Sequence, residues 1–99
     1  MQYFVAESTM NDPMPVSREE FLSVYAPMHV AHVQEGVAAG VVLMGGPSET
    51  GGGFLLLRTE SRAEAEAFLE DDPFRKNGIN RFRLTEFTPK DRADLVKDW

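Results

Sequence analysis

Apolar and polar residues change period several times along this chain, and each change marks an element. Gln2-Tyr3-Phe4-Val5-Ala6 is aromatic and β-branched and ends at a polar cluster, which predicts a first strand. Asn11-Asp12-Pro13-Met14-Pro15 suits neither a helix nor a central strand, so it reads as a loop. Ser17 followed by Glu20 is a capping-box pattern, and the helix it opens is expected to run to about Ala39 and close at Gly40. Pro27 lies inside that span, where its missing N–H and its ring predict a kink near Tyr25-Ala26. Val41 to Met44 then reads as a second strand, Gly45 to Gly52 as a flexible loop and Gly53 to Thr59 as a third strand. Ser61 with Glu64 opens a second capped helix to roughly Glu70, with Ala65, Phe68 and Leu69 as its core face. Asp72-Pro73-Phe74 starts a short turn or helix that Gly78 ends, with Asp72 as N-cap and Pro73 at the first position. Ile79 to Phe87 is the predicted fourth strand, and Lys90 to Trp99 reads as a short helical tail.

The resulting order, βαββαβ, predicts a ferredoxin-like α+β fold with an antiparallel sheet whose helices cover one face. Gly53-Phe54-Leu55-Leu56-Leu57 and Val41-Val42-Leu43-Met44 are apolar on both sides, whereas a half-wet strand alternates. Leu56 and Leu57 must therefore lie on opposite faces, both of them dry. With no obvious element left for the second face, a second copy of the chain is expected there. Two such sheets face to face make a dimeric α+β barrel, with a ligand pocket expected against the open face.

Composition narrows this picture. The 99 residues suit one domain spanning 1–99, and 42% of them are hydrophobic, enough for a packed core. With no cysteine there are no disulfides or thiolate metal sites, which fits a reducing, cytoplasmic compartment. The N-terminus lacks a basic n-region and a long apolar stretch, and the run from Val37 to Met44 is too short to span a bilayer. A net charge of −6 argues against nucleic acid as a partner.

The candidate chemistry is sparse. No serine has a nucleophile-elbow setting, and the glycine-rich stretch from Gly45 to Gly53 lacks the lysine and following helix of a phosphate loop. Two histidines stand three apart on the first helix. At ~100° per residue, Val30, Val33 and Val37 form an apolar stripe, with His29 at its edge and His32 outside it. His29 is therefore expected to be half-buried, as a cavity-lining base or as a boundary residue bonded to a backbone carbonyl, and His32 to face water. No third ligand accompanies them, so no metal is expected. Arg81 and Arg83 alternate with Phe82 and Leu84, so both guanidiniums share one sheet face, where they would hold an anionic substrate or meet a partner or solvent.

These features together resemble the YciI-like (YCII-related) family over nearly the whole chain. The likeness rests on Arg18 and the helix behind it, His29-Val30-Ala31 eleven residues ahead of the Ala38-Ala39-Gly40 helix end, Gly46-Pro47 after the second strand, and Asp72-Pro73-Phe74 after the second helix. The family is similar in fold to muconolactone isomerase and other dimeric α+β barrels. It is associated with a histidine–aspartate site and with lyase or isomerase chemistry on small ring-derived acids or lactones; such a reaction needs no cofactor, which suits a chain with no cofactor motif. The resemblance implies His29 as the general acid/base, and Gly46, Pro47 and Phe74 as substrate-binding positions beside Arg81 and Arg83. No aspartate occurs between Asp12 and Asp71, so the partner carboxylate falls to Glu49, the nearest in the glycine loop, or to Asp72 approaching in space. Two function classes follow: a cofactor-free enzyme, or a binding or accessory protein using the same cavity. A carboxylate within hydrogen-bond distance of His29 separates them.

Overall fold

The computed structural model describes all residues, 1–99. Strand β1 (Gln2–Met10) is followed by a short helix α1 (Arg18–Glu20), a π-helical turn (Phe21–Tyr25) and helix α2 (Ala26–Ala38). Strands β2 (Val42–Pro47) and β3 (Gly53–Thr59) form a hairpin, and helices α3 (Arg62–Glu70) and α4 (Pro73–Lys76) lead into β4 (Asn80–Phe87). A 3₁₀ turn, Asp94–Val96, lies in the tail. The sheet order is β2-β3-β1-β4, every pair antiparallel, which is the ferredoxin-like α+β arrangement of dimeric α+β barrels.

Local chemistry explains most of these elements. Ser17 caps α1 through a complete capping box with Glu20. Ser61 caps α3 by accepting from the Glu64 N–H, but the Glu64 carboxylate accepts from the Glu60 N–H instead of returning to Ser61. The break expected at Tyr25-Ala26 takes the form of a wide turn one step earlier. Ala26 donates to the carbonyl of Phe21, five residues back, and Pro27 then falls in the first turn of α2, where no N–H is needed. Strand β1 is longer than its apolar stretch, because Glu7, Ser8, Thr9 and Met10 are paired by β4 whatever their polarity. A bulge between Val42 and Met44 shifts the register of β2 and lets the strand continue to Pro47.

The pleat sorts the residues onto two faces. Phe4, Ala6, Val42, Leu55 and Leu57 point toward the helices and form the core with Ala65 and Leu69. Leu57 is fully buried, so it is the helix-side member of the Leu56/Leu57 pair. Helix α2 meets this core at Gly36, where a Cβ would stand 2.6 Å from the Phe68 ring and 2.9 Å from Val42. The expected valine stripe is corrected by that contact. The backbone at Gly36 makes the close approach and Val33 packs beside the core, while Val30 and Val37 are each 50% exposed.

The other face carries Tyr3, Val5, Leu56, Arg81, Arg83 and Phe87, by strict alternation along paired strands. The expectation that this chain has nothing of its own to lay on that face is overturned by the tail. Tyr3 Oη donates to the Trp99 carbonyl at 2.7 Å, and the Arg58 guanidinium lies 4.8 Å from the indole centroid. The tail thus covers the Tyr3 end of the open face. Met44 and Phe54, at 62% and 46% exposure, remain uncovered.

Candidate active site

A cavity of about 420 Å³ opens beside α2, α4 and the β2–β3 hairpin. Its sheet wall is made by Ser8, Leu55, Asn80 and Phe82, all on the helix side of the pleat. The pocket expected against the open face is therefore on the covered face. The reason is geometric: Gly45, Gly46, Gly51, Gly52 and Gly53 of the hairpin line the space between sheet and α2 and put no side chain into it. Gly52 permits this, since a Cβ there would collide with the Ser8 carbonyl.

His29 enters from α2. Its Nδ1 lies 2.7 Å from Asp72 Oδ2, and the carboxylate is 1% exposed while the imidazole is 28% exposed. An ionised carboxylate only accepts, so Nδ1–H donates and the lone pair of the neutral ring sits on Nε2, which has no protein partner. Asp72 is itself fixed by its second oxygen, which accepts from the Phe74 N–H at 2.8 Å, making it the N-cap of α4 with Pro73 behind it. One buried carboxylate thus starts a helix and orients a histidine.

Aromatic rings hold the imidazole flat. His29 stacks on Phe74 with centroids 4.2 Å apart and 6° between planes, and Phe21 stacks on the other part of that array, 5.2 Å from Phe74. Phe21 and His29 are eight residues apart, which in an unbroken α-helix would set them roughly 80° apart. The wide turn at Phe21–Tyr25 takes up much of that offset, so both reach the same phenylalanine.

The remaining expected residues divide cleanly. Gly46, Pro47 and Phe74 line the cavity with His29. Glu49 does not partner His29: it is exposed at the hairpin tip with no hydrogen bond or ion pair, and Asp72 occupies that role geometrically. Arg81 and Arg83 do not reach the cavity, because alternation along β4 sends them to the opposite face from Asn80 and Phe82. Arg81 instead donates to Asn11 Oδ1 at 2.8 Å. His32 is not solvated as expected. Its Nε2 donates to the Phe68 carbonyl at 2.8 Å and its ring stacks on Phe68 at 4.4 Å. Sequence reasoning passed over Asn80, a buried amide in the cavity wall. The signal was its phase: it precedes Phe82 and Leu84 in the inward set of β4.

The model of the YCII-related domain matches residues 1–88. The chain belongs to the YCII-related domain family. No curated protein sequence matches this YciI-like chain. Among solved structures it is similar to 5-chloro-2-hydroxyhydroquinone dehydrochlorinase (TftG) from Burkholderia phenoliruptrix, in complex with 2,5-dihydroxybenzoquinone. The two share 25% identity at a TM-score of 0.67, over 87% of this chain and 93% of that one. No helix of this YciI-like protein is long and apolar enough to cross a membrane.

Proposed function

We propose that this YciI-like chain, acting as one domain, is a cofactor-independent lyase or isomerase for a small oxygenated ring, with His29 as general base and Asp72 as its positioning residue. The observation that carries this reading is the 2.7 Å contact between His29 Nδ1 and buried Asp72, which leaves Nε2 unpartnered at a cavity of about 420 Å³. Nε2 would take a proton from a substrate O–H or acidic C–H. The freed electron pair forms a C=O or C=C bond, and either a leaving group departs as an anion or a proton returns at another carbon. The dehydrochlorinase activity of the similar structure supports the lyase form. A binding protein without turnover had the missing aspartate in its favour, and Asp72 removes that motive.

Chloride release from a chlorinated hydroxyhydroquinone, followed by ion chromatography, tests the lyase form, and substrate proton exchange by NMR tests the isomerase form. Activity in the wild type that His29→Asn abolishes is the expected result. Binding with neither product would replace this reading by the accessory-protein one.

The proposal includes a cytoplasmic homodimer joined through the uncovered part of the open sheet face, where Met44 and Phe54 are exposed. Met44→Asp should then lower the sedimenting mass to that of one chain, whereas Leu57→Asp, in the core, should unfold it. A wild-type monomer at micromolar concentration would sink the dimer.

A further inference from the structure

Asn80 is 1% exposed, lines the cavity, and its Oδ1 has no hydrogen-bond partner in the protein. Buried amides are almost always paired, and leaving one unmade is costly enough to need a reason. Folding does not supply one, since β4 is held to Met10 and its neighbours through backbone pairing. The side chain points to the helix face, into the same space that His29 enters from α2.

Ser8 and Gln34 are the other polar side chains of the lining, Ser8 donating to the Gly53 carbonyl, and the rest of the wall is mostly aromatic and glycine backbone, with Phe21, Phe74 and Phe82 among the rings. No lysine or arginine belongs to the lining, so a carboxylate would find no cation other than a protonated His29. A flat ring whose oxygens are its polar groups meets these conditions.

Resting on the proposed His29 site, we infer that Asn80 is the specificity-determining residue of this cavity, pairing with a second ring oxygen while His29 engages the first. Its amide offers both a donor and an acceptor, so it reads a hydroxyl or a carbonyl. The ligand class is then a ring with at least two oxygens, and rings with one are discriminated against because they leave the amide unpaired.

The probes are hydroquinone and phenol, titrated by NMR in anaerobic buffer into the wild type, Asn80→Leu and His29→Asn. The wild type should bind hydroquinone about tenfold more tightly than phenol, the size of one good hydrogen bond. Asn80→Leu, close in shape, should lose that preference and bind hydroquinone about tenfold more weakly, with a free-protein Tm equal to or above the wild type. His29→Asn should keep part of the preference, because Asn80 is intact. A fall of several degrees in the Tm of Asn80→Leu would make the amide structural and overturn the inference. So would a preference that survives Asn80→Leu, or no binding of hydroquinone by the wild type at millimolar concentration. If the preference behaves as expected while His29→Asn retains full turnover, the His29 reading fails and the Asn80 assignment stands.

Discussion

Two histidines on one helix have nearly the same surroundings and very different prospects. His29 and His32 each stack on a phenylalanine, at 4.2 and 4.4 Å, and each binds an oxygen, at 2.7 and 2.8 Å. The oxygen differs. That of His32 belongs to the Phe68 backbone, a neutral acceptor used up in docking α2 against α3. That of His29 belongs to a buried carboxylate, and its other nitrogen is left at a cavity. Stacking and one hydrogen bond make a structural histidine. A carboxylate fixing one nitrogen, with an unfilled space beside the other, makes a candidate for proton transfer.

The contrast is broken most directly at His29 itself. His29→Asn should reduce turnover by about 10²–10⁴-fold, measured as initial rate on an active substrate, while His32→Asn should leave the rate near wild type. If both fall equally, the two rings are not different in kind. Asp72→Asn comes next. The amide keeps the oxygen that caps α4 but presents an N–H to Nδ1, favouring the wrong tautomer, so the rate should fall about 10²-fold or more with little change in KM. Asp72→Ala additionally removes the cap and should cost about 1–3 kcal/mol in urea unfolding.

Smaller effects sharpen the His32 side. Gly36→Ala drives a methyl against Phe68 and Val42, and should destabilise by about 1–3 kcal/mol without altering the active-site rate constant. His32→Asn should cost about 1 kcal/mol, the worth of one part-buried hydrogen bond. The smallest effect belongs to Asp71. A hydrogen bond from the exposed Lys76 ammonium, and its charge, hold that carboxyl below its ordinary pKa. Because the folded pKa is lowered, the pair stabilises above the unfolded carboxylate range and is lost as pH falls through the folded value. Asp71→Asn should therefore lower neutral stability very slightly, leave acid stability unchanged and so flatten the pH dependence of unfolding.

The chain's punctuation carried most of the fold. Ser17, Ser61, Asp72 and Gly53 sit at or next to element starts, because capping and turn chemistry act within a few residues. The π turn was visible as a Pro27 problem, but its solution depends on Phe21 finding Phe74. The site was half visible. Helical periodicity set His29 apart from His32, yet it judged burial by valine neighbours, and Gly36 turned α2 differently. Which carboxylate meets His29 is a long-range fact, spanning 43 residues, that spacing does not encode. The arginines failed as cavity residues for a simpler reason: alternation says that two residues share a face, not which face the helices take.

Trp99 is the chain's one tryptophan, and it lies on the open sheet face between Tyr3 and Arg58, across the sheet from the cavity. The molecule therefore carries an intrinsic fluorophore that watches one surface and ignores the other. Its emission should shift when the tail lifts or a second chain settles beside it, and stay constant when a small ring fills the pocket. Quenching by acrylamide against protein concentration would follow assembly, free of any signal from the ligand.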